Sequence, residues 1–305
     1  MKRLLDCSSS DFKNISKKEL LEAIAASEGR VLVSEVIGNA MPLYFNISNA
    51  ELASAFGTDI ILLNMFDVYN PIFNGISKVD NNNIIKEIKR LTGRVIGINL
   101  EPVDSEIESI GDMCEISKGR LATRKTAVKA YEMGANIIVL TGNPGSGVSN
   151  KAIISSLKNI NEELGDKVIL CAGKMHSSGS LKESGESIIT KKDIKEFVGA
   201  GADIILMPAP GTVPGITVKY IKDLISYAHS LGILALTALG TSQEGADCET
   251  IKRIALMCKM AGTDIHHIGD AGYTGIAVPE NIMYYSIAIR GKRHTYIRMA
   301  RSINR

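Results

Sequence analysis

The sequence predicts an α/β protein folded as a single (β/α)8 barrel with an extra N-terminal helix. Three observations predict it. A strand-entry pattern recurs four times, as Gly57-Thr-Asp-Ile, Gly134-Ala-Asn-Ile, Gly201-Ala-Asp-Ile and Gly262-Thr-Asp-Ile, each following a helix. Glycine accepts the left-handed helix cap, the small residue lets helix and strand pack closely, and the β-branched run suits a covered parallel sheet. Eight strand-then-helix units follow one another at roughly 33-residue spacing, a count and length that a closed barrel accommodates. The strand bodies are apolar while nearly every strand exit carries a charged or amide side chain, which points to a ligand site on one rim. An open doubly wound sheet is the structural alternative, but the turn after the first strand, EVIGNAMP, lacks GxGxxG spacing.

The elements are legible in order. Ser16 with Glu19 makes a capping box for a helix through about Ser27, which could cover the bottom of the barrel. Strand one is Val31 to Ile37, and Ser48 with Glu51 caps a short helix ending at Gly57. Strand two, Ile60 to Leu63, opens into the loop NMFDVYNPIFNG, and Ile84, Ile85 and Ile88 give one face to a helix over Asn81 to Leu91. Strand three, RVIGINLEP, carries Asn99 and Glu101 at its exit and leads into a long acidic segment, then a helix from about Thr123 to Met133. Strand four, Asn136 to Thr141, runs into GNPGSGVSN and a helix from Asn150 to Leu164; strand five is KVILCAGKMH, ending near Lys174 and His176. Thr190 and Asp193 start a helix through Val198, followed by strand six, Asp203 to Met207, and the breaker-rich PAPGTVPG. A helix with Tyr220, Leu224, Ile225 and Ala228 inward precedes strand seven, ILALTAL, and GTSQEG; Thr250 to Met260 is the next helix. Strand eight spans Asp264 to Ile268, then GDAGYTG and a last helix in AVPENIMYYSIAI with proline near its first turn. The chain thus divides into an N-terminal extension, 1–29, a barrel, 30–290, and a basic tail, 291–305.

Composition narrows the function classes. No run of 18 apolar residues occurs and MKRLLDCSSSDF lacks a secretory h-region, so a cytoplasmic protein without a membrane partner is expected. Five cysteines with no CxxC argue against a disulfide scaffold or a cysteine-rich zinc site. The last 15 residues hold five Lys/Arg and no acid; residues 1–290 then hold 30 basic against 33 acidic residues, a formal charge of −3 that gives no nucleic-acid-binding body. The tail itself reads as a solvated terminal helix, or as a contact for phosphate or a second subunit.

Candidate chemistry lies at the strand exits. Gly240, Thr241 and Ser242 after strand seven, and Gly269, Asp270, Ala271, Gly272 and Thr274 after strand eight, lie in turns whose backbone N–H groups can converge on a phosphate. Asn64, Asn99 and Asn143 offer amides to the same ligand. Lys174 is the leading catalytic candidate, as a Schiff-base amine or as a charge steadying an enolate, with His176 beside it if the strand persists. Glu35 and Glu101 are candidate proton carriers. In the alternative reading Glu35, Asp67 and Glu101 hold Mg²⁺ or Mn²⁺. Of the consecutive His266 and His267, alternation sends one into the barrel and the other toward the helices. The loops after strands three and five are long enough to close over a small ligand.

GTSQEG, GDAGYTG and the Gly-Ala/Thr-Asp/Asn-Ile strand entries resemble the phosphate-binding TIM-barrel superfamily, and the chain is similar to bacterial barrel proteins grouped by analogy with phosphoenolpyruvate mutases and lyases. The resemblance implies an isomerase or lyase, epimerase- or aldolase-like, acting on a small phosphorylated sugar or keto acid, with Gly269 to Gly272 holding the phosphate. No cofactor, or a divalent cation, is implied. A metal-dependent phosphohydrolase or lyase, or a non-catalytic phosphometabolite-binding protein, are the alternatives, and a homo-oligomer is expected.

Overall fold

A computed structural model describes residues 2–104, 116–142, 147–177, 184–270 and 275–305. Eight parallel strands, β1 (Val31–Ile37), β2 (Ile60–Asn64), β3 (Val95–Leu100), β4 (Ile137–Leu140), β5 (Ile169–Gly173), β6 (Ile204–Pro208), β7 (Leu234–Leu239) and β8 (Ile265–Ile268), pair in sequence order. β8 returns to β1 with Val33 opposite His267, closing the barrel. Around it lie α2 (Asn49–Ala55), α3 (Ile84–Thr92), α4 (Arg124–Met133), α5 (Asn150–Leu164), α6 (Lys191–Gly199), α7 (Val218–Ser230), α8 (Cys248–Ala261) and α9 (Pro279–Ala300), with α1 (Lys17–Ala25) preceding the first strand. The capping boxes at Ser16, Ser48 and Thr190 form as the spacing predicts.

Strand alternation divides the apolar side chains between two cores. Val31, Val33, Ile60, Leu62, Val95, Ile137, Val139, Ile169, Cys171, Ile204, Leu206, Leu236, Ala238 and Ile265 fill the barrel and continue onto Leu20, Ala23 and Ile24 of α1, so this helix plugs the bottom. Their alternates, such as Leu32, Ile61, Ile96, Ile138 and Ile205, pack outward with the helices. The interior is therefore apolar from its bottom to its middle, and polar inward positions begin only near the strand exits.

The acid of the recurring entry motif ties each strand to its predecessor. Asp59 accepts from Leu32 N (2.9 Å), Asp203 from Leu170 N (2.8 Å) and Asp264 from Ala235 N (2.8 Å). Lys17 of the plug reaches Asp203 at 2.7 Å, and His229 reaches Asp264 at 2.7 Å. Asp59 is fully buried between Arg290 and Arg298, with Arg94 alongside donating to the Thr58 carbonyl (2.8 Å) and the Arg298 carbonyl (3.0 Å). Burial would raise the Asp59 carboxyl, but Arg290 and Arg298 more than offset it and hold the group below its ordinary range. Arg94, more weakly compensated, is pulled by burial to about 9.

Several local boundaries differ from the sequence reading. β5 ends at Gly173, so Lys174 and His176 follow the strand rather than extend it; a Cβ at Gly173 would lie 1.9 Å from the Leu206 carbonyl oxygen, and glycine allows this close approach to β6. α8 begins at Cys248, capped by Asp247, rather than at Thr250. α9 continues to Ala300 through a bend at Gly291 (φ 74°, ψ 166°), and the basic tail is not simply solvated, since Thr295 and Arg298 are buried. Replacing Gly173 by Ala is expected to destabilise the fold by about 1–3 kcal/mol, because rigid backbone must move to admit the methyl group; urea denaturation measures this.

Candidate active site at the barrel mouth

Glu35 is on the inward side near the end of β1, and its Oε2 lies 3.2 Å from His267 Nε2 on the neighbouring β8. His267 is 1% exposed and points inward; His266 points outward, placed by Tyr285 Oη (3.2 Å) and the Gly29 carbonyl (3.0 Å). Burial drives the His266 imidazole down to about 3, so it is a neutral packing residue. Alternation thus sorts the two histidines as the sequence implies, with His267 the one that reaches the mouth.

Asn64 closes β2 and donates from Nδ2 to Asp270 Oδ2 at 3.2 Å, while the Asn64 and Asn99 amides meet at 3.3 Å. The side chains at the exits of β8, β2 and β3 are therefore in one connected group. Asp270 is almost fully buried, and burial, then the Glu35 charge and that of Glu244, push its carboxyl up to about 8 against the opposing Asn64 hydrogen bond. The shift is toward the protonated acid. A carboxyl raised in this way, within the field of Glu35, suits proton transfer.

The two glycine turns adjoin: Gly269 N donates to the Leu239 carbonyl (2.8 Å), and a Cβ on Gly269 would stand 3.8 Å from Glu35 Oε2. Within GTSQEG, Thr241 and Ser242 adopt positive φ (58° and 68°) and are exposed. Gly240 faces the loop after β5, since a Cβ there would lie 2.3 Å from Met175 Cε. This contact brings the segment holding Lys174 and His176 to the same rim. Lys174 is 3% exposed; burial lowers the half-buried His176 imidazole, opposed by the charge of Glu35, whose field reaches it. Asn143, Ala271, Gly272 and Thr274 lie outside the described residues.

Glu101 and Asp67 have other partners. Glu101, just beyond β3, is buried in an ion pair with Arg120 and exchanges backbone hydrogen bonds with Arg120 and Ala122 (2.8 and 2.9 Å). Asp67 accepts from Tyr69 N (2.8 Å) and Asn70 N (2.9 Å) and packs on Gly119, where a Cβ would meet its carboxylate. Burial would raise the Asp67 carboxyl, but hydrogen bonds from Ser117 and these backbone amides prevail and lower it. Among the described residues no three His, Cys, Asp or Glu side chains converge to hold a metal. The set Glu35, Asp67 and Glu101 does not fit one cation: the first meets His267, the second organises its own loop and the third neutralises Arg120.

One residue of the mouth was missed. Glu244, in the turn after β7, is completely buried, and burial together with Glu35 raises its carboxyl while His267 opposes the rise. In the sequence, GTSQEG is conspicuous for its glycines and hydroxyls, and a glutamate in a βα turn looks solvated. No pattern in the sequence signals it; in the structure Asn281 Nδ2 donates to the carbonyls of Glu244 (2.9 Å) and Ala246 (2.8 Å) and ties the turn to α9.

The fold and mouth define a closed (β/α)8 barrel with an acid- and amide-lined opening at the strand C-termini. The chain belongs to the family described as Domain of unknown function (DUF7916), whose model matches residues 5–305. A segment of 93 residues is 33% identical to the "Putative N-acetylmannosamine-6-phosphate 2-epimerase" of Haemophilus influenzae, covering 30% of this chain and 35% of that protein. The match thus spans about a third of the curated relative's length. An archaeal fructose 1,6-bisphosphate aldolase shares the fold at a TM-score of 0.55 and 13% identity, over 90% of this chain and 98% of its own. So does 2,3-dimethylmalate lyase, a PEP mutase/isocitrate lyase superfamily member, at 0.50 and 12%, over 84% and 80%. Among the described residues no helix is long and apolar enough to cross a membrane.

Proposed function

We propose that the chain is an isomerase or lyase, epimerase- or aldolase-like, acting on a small phosphorylated sugar or keto acid at the barrel mouth. The observation that carries this reading is the pairing of Glu35 on His267 with a neighbouring Asp270 whose carboxyl is pushed to about 8. A carboxylate able to take a proton and a carboxylic acid able to return one are what enolisation next to a carbonyl requires. The likenesses agree in kind, since one relative is named for a sugar-phosphate epimerase and one structure for a bisphosphate aldolase.

In this proposal Glu35 removes the proton, Asp270 donates to the developing enolate oxygen, and Asn64 with Asn99 orients the substrate. Lys174 serves as the Schiff-base amine or as the charge that steadies the enolate, with His176 beside it. The turn at Gly240–Ser242 and the adjoining Gly269 grip the phosphate, and Gly272 and Thr274 of the same sequence motif are assigned to it with them. Glu101 holds Arg120 rather than moving the proton. A divalent cation has no convergent ligand set among the described residues, so no step is routed through one.

Incubation with phosphorylated sugars and keto acids in D₂O tests the reading without knowledge of the product. Wild-type protein should place deuterium next to the carbonyl of at least one compound, and Glu35→Gln should abolish it; binding without exchange by any of them would favour a non-catalytic phosphometabolite-binding protein. Borohydride reduction separates the two roles of Lys174. A substrate mass trapped on Lys174 marks the Schiff base, whereas activity of Lys174→Ala within about threefold of wild type, a change under 1 kcal/mol, removes the residue from the chemistry.

A further inference from the structure

The loops that follow β1 and β2 stand side by side on the rim of the mouth. Asn74 Nδ2 donates to the carbonyls of Asn39 (3.1 Å) and Ala40 (3.2 Å), Asn74 N donates to the Gly38 carbonyl (2.7 Å), and a Cβ on Gly38 would collide with the Phe73 ring. Phe66, Val68 and Phe73 are buried and Leu43 packs on the core, so both loops are held from beneath. Above these anchors the loops turn out Met41, Tyr44, Phe45, Met65, Tyr69 and Ile72, with Phe45 89% and Met41 66% exposed. Met65, directly after Asn64, sits in the left-handed region (φ 54°), which disfavours any residue with a Cβ, so the loop imposes its outward course. Residues 38–50 carry no charged side chain, and residues 65–77 carry only Asp67, whose carboxylate is turned onto its own loop and Gly119. Outside this sector the exposed large apolar residues are spread over α4, the end of α7, α8, α9 and the last residues of the chain.

At their exposures these side chains present roughly 700 Å², taking about 200 Å² for a fully exposed one. The largest apolar patch on an ordinary monomer is about 300–600 Å², and a stable complex buries about 800 Å² on each partner. The sector is therefore close to interface size before its flanking amides, Asn39, Asn46 and Asn70, are included. Its Met, Tyr and Phe content and its lack of charge match the core of a protein–protein interface. The two loops contribute no Lys or Arg through residue 77, so they offer nothing to an anionic membrane surface. We propose that this sector is where a second copy of the chain docks, the loops after β1 and β2 of one protomer lying against the same loops of its partner about a two-fold axis. An apolar, uncharged patch is complementary to itself, and such a contact closes at two copies. The partner then stands beside the mouth on its β1–β2 side, next to Asn64.

The interface does not depend on the proposed reaction, so it is tested on the free full-length protein. Sedimentation velocity from about 0.1 to 100 µM, a span that brackets a micromolar Kd, should show a particle of twice the chain mass. Met41→Glu combined with Phe45→Glu sets like charges against one another across the axis and should weaken self-association by at least about 30-fold, the effect of losing an interface hot spot. Met260 of α8, 59% exposed, is the internal standard for a second measurement on the wild type: under hydroxyl-radical oxidation Met41 should react several-fold more slowly than Met260 in the dimer, although the single chain exposes the two about equally. That comparison decides even if the double variant fails to fold. A chain that stays monomeric across the range, a dimer indifferent to the two glutamates, or equal oxidation of Met41 and Met260 in the dimer overturns the proposal. A monomer that floats with vesicles of phosphatidylcholine and phosphatidylglycerol, and ceases to do so in the double variant, overturns it in favour of a membrane.

Discussion

Asp59→Asn is expected to cost the fold about 3–5 kcal/mol, the range for removing one partner of a buried ion pair. Asp59 lies fully buried against the Arg290 and Arg298 guanidiniums, which are themselves buried, and it also accepts from Leu32 N. Removing its charge leaves those cations, with Arg94 beside them, facing carbonyl oxygens and the Ser286 hydroxyl, none of them charged. The tail that carries Arg298 is held to the N-terminal segment by the same group, since Arg298 donates to the Cys7 carbonyl at 3.1 Å. Lys17→Met provides the contrast. Its partner Asp203 is partly exposed and keeps the Leu170 N–H bond, so a loss within about 1 kcal/mol is expected. Urea denaturation of the two variants at pH 7 measures the difference, and equal effects would contradict the assignment of Asp59 as the central tie.

The second large effect concerns Asp270. Asp270→Asn is expected to lower kcat by about 10²- to 10⁴-fold, the usual contribution of a positioned acid or base. Stability should change in the opposite direction with a definite pH dependence. The native carboxyl is raised from 3.8 to about 8, so between these values the folded state holds a proton that the unfolded state has released. This contribution is fully present below the unfolded value and is lost as pH rises through about 8. Asp270→Asn removes the loss, and its melting temperature relative to wild type should therefore rise from pH 5 to pH 8. Thermal unfolding at the two pH values checks the sign.

Barrel closure was legible because the Gly-small-Asp/Asn-Ile entries, the capping boxes and the strand spacing report local physics that repeats. Alternation showed that His266 and His267 must face opposite ways, but not which of them enters the barrel. Other features depend on distant segments meeting. The need for glycine at position 173 comes from the Leu206 carbonyl facing it, which no pattern within KVILCAGKMH reveals. Asp59 looks like its counterparts Asp203 and Asp264, and only the return of α9 beneath the barrel supplies its two arginines. For Asp67 the sequence shows a carboxylate at a strand exit, but the Gly119 backbone that packs on it comes from about 50 residues downstream. The same holds for Glu244: turn composition gave its glycines, and tertiary packing buried its carboxyl.

The most direct test of the account is a crystal structure of the protein soaked with small phosphorylated sugars and keto acids. The account expects a ligand in the mouth, with its carbonyl carbon region beside Glu35, Asn64 and Asp270 and its phosphate at the adjoining turns of Gly240 and Gly269. Ligand density confined to the outer helices, or a mouth that excludes every such compound, would contradict it.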